Sequence, residues 1–275
     1  MQIYRIHVRN DAFQLWETLK SNRNKRHKAG LFFVEGVRNI NGALRYGWQI
    51  EAFAYNADAA LSGWAKDALE AAPQADRYLL SGPLMAALSD REEHPSELIC
   101  LVRMRSDDPD ALTLGPSPLL AVFDRPSNKG NLGTVIRTCD ALGVDALLLT
   151  GHAVDLYDPE VVLATVGSLF STPVLRLEAE AFDRYWDALR GRYPTLRAVG
   201  TSAHAHAPLW EVDLTGPTLL LIGNEQTGLA KNFRERVDVM TTIPMAGTSY
   251  ASSFNAACAA TVLLYEAVRQ RKGGR

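Results

Sequence analysis

Hydrophobic and polar positions between residues 119 and 270 alternate in blocks, as expected for strands that are followed by helices. Five short segments are apolar on both faces and predict buried strands: 119–123, 145–150, 196–200, 218–223 and 239–244. Helical spacing of apolar residues predicts helices at 131–142, 158–170, 179–191, 228–235 and 253–270. Such alternation indicates a parallel sheet with helices on both sides. Ligands of these sheets bind at the carboxyl ends of the strands.

A second alternating pattern precedes this one and predicts a separate small α/β unit. Its strand-like and helix-like segments lie at 31–36, 37–47, 50–56 and 57–72. The segment 107–118 is rich in Asp and Pro and has no periodicity, so we interpret it as a linker. We therefore predict an N-terminal domain over 1–106 and a C-terminal domain over 119–275, both of the α/β class.

The predicted helix over 131–142 carries an arginine on the side that faces away from the core. Its apolar residues share one face at the spacing of a core-facing helix: Leu132, Val135, Ile136, Cys139 and Leu142. Asn131 is the predicted N-cap, and Gly143 is the predicted helix stop. The opposite face holds Arg137 among small residues, which indicates close approach by a ligand, another chain or nucleic acid.

Composition restricts the class of protein only in part. The chain has 275 residues, 47% of them hydrophobic and 22% charged, and its formal net charge is −2. No apolar run approaches the roughly 20 residues that span a bilayer, and the first residues lack the apolar core of a secretory signal. The three cysteines are far apart in apolar contexts and predict free thiols. We therefore expect a cytoplasmic protein with no membrane partner.

Positive charge is concentrated near the N-terminus. Residues 1–30 contain seven Lys and Arg but two acidic residues, a net charge of +5. The densest cluster contains Arg23, Lys25, Arg26 and Lys28, and the segment 269–275 is basic as well. Basic clusters at both ends of an otherwise acidic chain favour local contacts with phosphate groups.

Three polar, glycine-containing loops follow predicted strands of the C-terminal domain. The first, SNKGNLGTVIR at 127–137, is neither a P-loop nor a dinucleotide-binding fingerprint. The second, GNEQTGL at 223–229, places a carboxylate directly after a buried strand. The third, at 243–255, enters the last helix with Ser252 or Ser253 as the predicted cap, and an alanine-rich first turn leaves room for close packing.

Together and in this order, the three loops resemble the motifs of the SpoU/TrmH-type RNA ribose methyltransferases of the SPOUT superfamily. The similar segments lie at 128–137, 223–229 and 243–266. The segment FFVEGVRNINGAL at 32–44 also resembles the small RNA-binding domain, similar to a ribosomal protein, that precedes the catalytic domain in many members.

The resemblance implies a C-terminal SPOUT domain with a parallel sheet and a deep trefoil knot, preceded by a small α/β RNA-binding domain. It implies S-adenosylmethionine as the cofactor and a homodimer with the active site at the subunit interface. The implied reaction transfers a methyl group to a ribose 2′-hydroxyl. Ribosomal RNA is favoured over transfer RNA, because an added RNA-binding domain suits a large folded substrate.

The resemblance also implies roles for individual residues. The implied catalytic residues are Arg137, Asn131, Glu225, Ser253 and Asn255. The residues implied to surround the cofactor are Thr201, Leu221, Ile222, Gly223, Ile243, Met245 and Phe254. The predicted RNA contacts are Arg23, Lys25, Arg26, Lys28 and Arg38. His204 and His206 have no third ligand nearby in the sequence, so we predict no metal site.

Two departures from the family pattern leave alternatives open. The third loop is about two residues longer than the common pattern, so Ser252 competes with Ser253 for the serine role, and Phe254 replaces the usual leucine. The resemblance casts Arg137 as the base that removes the hydroxyl proton. A guanidinium is protonated at neutral pH, so a bidentate contact to the phosphate beside the target ribose is the alternative.

Other functions fit the sequence less well. A transfer RNA methyltransferase has the same motifs. A ribosome-assembly factor with this fold would hold RNA without catalysis, but it would not need all five implied catalytic residues. A nucleotide-binding oxidoreductase is disfavoured, because the glycine fingerprint of such enzymes is missing.

Overall fold

A computed structural model describes residues 1–89 and 95–273 of the chain. The chain forms two compact units: unit 1 comprises Met1–Arg105 and Asp155–Ser171, and unit 2 comprises Ser106–Val154 and Thr172–Arg275. Residues 155–171 thus group with unit 1, whereas the domain prediction assigns them to the C-terminal domain; the domain boundaries stay a prediction. Residues 274 and 275 of the basic C-terminal segment lie outside the described residues.

Unit 1 contains a five-stranded mixed sheet with the strand order β1-β4-β3-β5-β2. Its strands are β1 (Ile3–Ile6), β2 (Leu31–Glu35), β3 (Ile50–Asn56), β4 (Asp76–Leu80) and β5 (Leu98–Arg103). Its helices, numbered along the whole chain, are α1 (Asp11–Ser21), α2 (Arg23–Ala29), α3 (Val37–Arg45), α4 (Gly63–Ala71), α5 (Gly82–Leu88), α7 (Pro159–Thr165) and α8 (Ser168–Ser171). The core includes Phe13, Trp16 and Leu19 of α1, which are buried against the sheet.

Unit 2 contains a seven-stranded sheet with the order β10-β12-β9-β11-β6-β7-β8, in which every pairing of strands is parallel. The strands are β6 (Leu119–Asp124), β7 (Ala146–Thr150), β8 (Val174–Leu177), β9 (Arg197–Thr201), β10 (Ala207–Pro208), β11 (Thr218–Ile222) and β12 (Val239–Thr242). The parallel sheet predicted from strands that are apolar on both faces is confirmed. β8 and β10 were not predicted and lie at the two edges of the sheet.

The helices of unit 2 are α6 (Lys129–Leu142), α9 (Ala179–Arg192), α10 (Lys231–Arg236) and α11 (Ala256–Arg271). Gly143 ends α6 in a left-handed conformation with φ 68°, as predicted. The predicted helix over 158–170 is instead two short helices, because Val166 and Gly167 adopt φ 54° and 100° between them.

Both predicted N-caps beside the loops were wrong. Asn128, not Asn131, caps α6, and its Oδ1 accepts the Asn131 backbone N–H at 2.9 Å. Asn255, rather than Ser252 or Ser253, caps α11. In each case an asparagine next to the first helical residue supplies the acceptor that the free N–H groups of the helix need.

Candidate active site

The carboxylate of Glu225 joins the first two loops. Its Oε2 accepts hydrogen bonds from the Ser127 backbone N–H at 3.0 Å and from the Ser127 hydroxyl at 2.7 Å. Its Oε1 accepts from the Asn128 backbone N–H at 3.3 Å and from Asn131 Nδ2 at 3.1 Å. One side chain of the second loop therefore holds the start of α6 through four donors.

Asn131 extends this connection to the third loop. Its Oδ1 accepts a hydrogen bond from Asn255 Nδ2 at 3.0 Å. The Oδ1 of Asn255 meanwhile accepts the backbone N–H groups of Ala257 and Cys258 at 2.9 and 3.3 Å. Asn255 thus caps α11 with one end of its amide and binds Asn131 with the other. The structure brings Asn131, Glu225 and Asn255 together.

The hydrogen bonds also determine the protonation state of Glu225. Burial raises the pKa of this carboxyl, but the hydrogen bonds from Ser127 and Asn131 outweigh burial and hold the pKa below its ordinary value of 4.5. Glu225 is therefore ionised at neutral pH. A carboxylate that is already saturated with donors is suited to hold the loops together and is poorly suited to remove a proton.

The turn that carries Glu225 is closed tightly. Asn224 and Gly228 exchange backbone hydrogen bonds at 3.2 and 3.0 Å, and Gly228 adopts φ 67°. Gly223 precedes the turn, where an added Cβ would lie 2.4 Å from the Leu229 backbone nitrogen. Only glycine fits at position 223 without moving the backbone.

A cavity of about 370 Å³ lies beside this turn, at the carboxyl ends of β9, β11 and β12. Of the residues predicted to bind the cofactor, six line it: Thr201, Ile222, Gly223, Ile243, Met245 and Phe254. Glu225, Ser252 and Ser253 line it as well. Leu221 does not line it, because its side chain is fully buried in the core of unit 2. Its backbone carbonyl accepts a hydrogen bond from the hydroxyl of Thr201, which does line the cavity, at 3.0 Å.

Arg137 lies on the exposed face of α6. It is not among the residues that line the cavity, and within 1–89 and 95–273 its guanidinium has no hydrogen-bond or ion-pair partner. The adjacent Thr138 hydroxyl lies 3.1 Å from that of Thr261, where α6 packs against α11. Arg137 is therefore available to a further molecule, as its predicted role requires.

One of the predicted RNA contacts has to be corrected. Arg26 is 1% exposed, and its guanidinium donates to Asp155 Oδ2 at 3.0 and 2.8 Å and to the carbonyl of Leu19 at 3.1 Å. A guanidinium that is saturated inside unit 1 cannot bind an RNA phosphate. The remaining predicted contacts are exposed on unit 1: Arg23, Lys25, Lys28 and Arg38.

The cavity also contains an arginine that the sequence analysis missed and a histidine that it considered only as a metal ligand. His204 and Arg234 line it, and the Arg234 side chain has no hydrogen-bond or ion-pair partner among the described residues. Arg234 lies on α10, six residues beyond Gly228 of the second loop, and no motif marks it. In the described part of the chain, no three His, Cys, Asp or Glu residues are placed to hold a metal ion. No helix within 1–89 and 95–273 has the length and apolar character needed to cross a membrane.

This fold and site define a class: an α/β protein that binds a small molecule where loops from several parallel strands meet, beside a network of amides and a carboxylate. Comparison with known proteins identifies the family. Residues 118–265 match the SpoU rRNA Methylase family, and residues 10–100 match the SpoU L30e-like domain. The chain belongs to the SpoU rRNA methylase family.

Individual relatives are similar over nearly the whole chain. A 23S rRNA (uridine(2479)-2'-O)-methyltransferase from Streptomyces viridochromogenes is 43% identical over 98% of this chain and 94% of its own length. The crystal structure of the SpoU methyltransferase AviRb from Streptomyces viridochromogenes, in complex with the cofactor AdoMet, has a TM-score of 0.90 at 42% identity and covers 97% of this chain and 100% of its own. An AdoMet-bound rRNA methyltransferase from Sinorhizobium meliloti has a TM-score of 0.86 at 25% identity, over 98% of this chain and 99% of its own.

Proposed function

We propose that this protein transfers a methyl group from S-adenosylmethionine to a ribose 2′-hydroxyl of 23S ribosomal RNA. The observation that carries the proposal is the meeting of three loops through Glu225, Asn131 and Asn255 beside a cavity. The activity for which the 43% identical relative is named supports the choice of substrate. The reaction takes place in the cytoplasm, where ribosomal RNA is found.

The cavity suits S-adenosylmethionine in size and chemistry. Its volume of about 370 Å³ is within the range of about 300–1,000 Å³ that small-molecule sites occupy. Ile222, Ile243 and Phe254 offer apolar walls to the flat adenine ring, and Thr201 offers a hydroxyl. Arg234 supplies an unpaired positive charge for the carboxylate of the methionyl part. When bound, the cofactor supplies a methyl group on a positively charged sulfur, a good leaving group.

The chain's own residues then have to orient the ribose hydroxyl. Alignment of the reacting atoms can lower the activation barrier of such a reaction by several kcal/mol, on the order of 7–11 kcal/mol at most. Asn131 and Asn255 are joined through their amides, and Ser253, two residues before Asn255, lines the cavity. Arg137 binds the phosphate next to the target ribose through the bidentate contact that the planar fork of a guanidinium makes, and its exposed position on α6 leaves it open to such a partner.

Two copies of the chain form the working enzyme. An apolar hollow of about 310 Å³ lies on the outer face of α6 and α11, lined by Thr138, Ala141, Leu142, Thr261, Val262 and Tyr265. Val262 and Tyr265 are 41% and 58% exposed in the single chain. A second copy that covers this face would lie against the helix of Arg137. The variant Tyr265→Glu should then run as a monomer in light scattering, whereas the wild type runs as a dimer.

Unit 2 is tied in the deep trefoil knot of the family, and its knotted segments form the cavity. Family membership over 118–265 supports this proposal, as does the cavity wall that residues 222–229 share with 243–254. The RNA is held by the exposed cations Arg23, Lys25, Lys28 and Arg38 of unit 1. These contacts make binding weaker at higher salt, because each one displaces counterions from the RNA.

The test combines cofactor binding with mapping of ribose methylation. Arg137→Ala should lower methyl transfer to 23S rRNA by about 10²-fold and leave the calorimetric Kd for S-adenosylmethionine unchanged. Arg184→Ala, which removes an exposed arginine of α9, is the matched control and should keep full turnover. Cofactor binding without methyl transfer would favour an RNA-binding assembly factor. Methylation of transfer RNA alone would show that transfer RNA, and not 23S rRNA, is the substrate.

A further inference from the structure

Arg125 holds both ends of the turn that carries Glu225. Its Nη2 donates to the Gly228 carbonyl at 2.9 Å, and its own carbonyl accepts from Asn224 Nδ2 at 2.7 Å. Asn224 and Gly228 are the two residues that close the turn through their backbone hydrogen bonds. One residue between β6 and the first loop therefore binds the second loop at its beginning and at its end.

A buried carboxylate fixes the guanidinium of Arg125. Asp124 is 2% exposed, and its Oδ2 accepts from Arg125 Nη2 at 2.9 Å and from the Ala230 backbone N–H at 2.9 Å. Its Oδ1 accepts the Thr150 hydroxyl at 3.2 Å. The ion pair thus connects the end of β6, the end of β7 and the segment that follows the turn.

The backbone of Arg125 is held in an unfavourable conformation. Its φ of 51° lies in the left-handed region, where residues other than glycine are uncommon. The side chain passes so close to Gly151 that a Cβ there would lie 2.6 Å from Arg125 Cγ. Glycine at position 125 would remove the strain, so an arginine there indicates that its side chain has a use that outweighs the cost.

We propose that Arg125 is a positioning residue for the cofactor site: its guanidinium, fixed by Asp124, holds the turn 224–228 in the shape that forms one wall of the cavity. This inference rests on the proposed function for the identity of the ligand. Arg125 does not line the cavity, so it acts through the turn and not by contact with the cofactor. Without it, the turn samples open shapes, and the fraction competent to bind the cofactor falls.

The test compares three full-length proteins: wild type, Arg125→Gly and Arg125→Lys. Arg125→Gly removes the clamp and relieves the strain, and Asp124 keeps its hydrogen bonds from Ala230 and Thr150, so the fold is retained at lower stability. The Kd for S-adenosylmethionine rises about tenfold, the effect of losing one charge-assisted hydrogen bond. Arg125→Lys keeps a positive charge for Asp124, but an ammonium lacks the planar fork with which the guanidinium binds both Asp124 and the Gly228 carbonyl. The Kd of this variant therefore lies between those of the other two proteins.

The control is Arg176→Ala, which removes another arginine of unit 2 whose guanidinium binds a carboxylate, that of Asp107. The Arg176 side chain is 26% exposed and the Arg125 side chain is 33% exposed, so the two are matched in burial. It should lower thermal stability without changing the Kd. Hydrogen exchange measured by mass spectrometry on peptides that cover 224–230 should speed up in Arg125→Gly and remain unchanged in the control.

The two readouts separate the possible failures. If Arg125→Gly binds the cofactor as tightly as the wild type, or if exchange at 224–230 does not change, the positioning role is refuted. If the wild type itself does not bind S-adenosylmethionine, the proposed function fails, and the exchange experiment still decides whether Arg125 holds the turn. Partial recovery in Arg125→Lys distinguishes loss of the clamp from loss of folding.

Discussion

The substitution Glu225→Gln tests the network that joins the three loops. The carboxylate accepts four hydrogen bonds from the first loop, two on each oxygen, from Ser127, Asn128 and Asn131, and a longer one from Asn224 Nδ2 at 3.5 Å. An amide keeps one oxygen and places N–H donors where the other oxygen was, so at least two of the four bonds lose their acceptor or their charge.

The size of the effect follows from these bonds. Hydrogen bonds to a charged group contribute about 1.5–3 kcal/mol each, and the half-buried position of Glu225 favours the lower end, because water replaces part of what is lost. Two lost bonds then reduce the free energy of unfolding by about 3 kcal/mol. For a unit of this size the loss lowers Tm by about 6–12 °C.

The assay is thermal unfolding of wild type and variant at a series of pH values. The pKa of Glu225 is lowered in the folded state, so its stabilisation is complete above the ordinary value of 4.5 and is lost as the pH falls through the lower folded pKa. The difference in Tm should therefore be full at pH 7 and should shrink below about pH 4.5.

A matched control and a clear negative result complete the experiment. Glu235→Gln alters an exposed carboxylate whose partner is Lys231 at 3.6 Å, and it should change Tm little at any pH. Equal unfolding curves for wild type and Glu225→Gln at pH 7 would refute the reasoning, as would a difference that persists unchanged at pH 3.

Three further outcomes are expected. Gly223→Ala forces a Cβ against the backbone of the turn and should abolish cofactor binding in calorimetry, whereas Gly216→Ala, with open space around it, should not. Asn255→Asp keeps the helix cap but loses the donor to Asn131, so turnover should fall while Tm stays near the wild-type value. A thiol reagent should modify Cys258 alone, because burial raises the pKa of the other two cysteines and removes them from solvent.

The sheet of unit 2 was predictable because its central strands are buried on both faces. β6, β7 and β11 are uninterrupted runs of buried residues, and such runs have few alternatives in a soluble fold. The edge strand β8 alternates between buried and half-buried residues, and β10 has two residues, so neither gives a strong sequence signal. Strand existence was therefore easiest to predict where burial is complete.

The capping errors have a specific physical cause. Asn128 and Asn131 are three positions apart, and either could in principle accept the N–H groups at the start of α6. Because Asn128 takes that role, the Asn131 side chain is released to reach Glu225 and Asn255. That choice depends on contacts with residues more than ninety positions away, which local sequence does not contain.

The motif positions of the candidate site were predictable, but its internal connections were not. The sequence placed Glu225, Asn131 and Asn255 in three loops, and the resemblance to a family assigned them roles. Nothing in the pattern indicated that Ser127 would bind Glu225 or that Arg125 would close the turn. For Arg26 the sequence predicted a contact that the structure does not allow. A cation in a basic cluster resembles a phosphate contact, and its buried ion pair with Asp155 cannot be read from the local sequence.

The contacts at Glu225 and Asn255 connect positions 98 and 124 residues apart. Contacts of such sequence separation form slowly, because a long stretch of chain loses its freedom before any contact stabilises it. The chain has to be synthesised past position 255 before Asn255 can meet Asn131. A nascent chain that stops short of this position has the first two loops but cannot yet join them to the third.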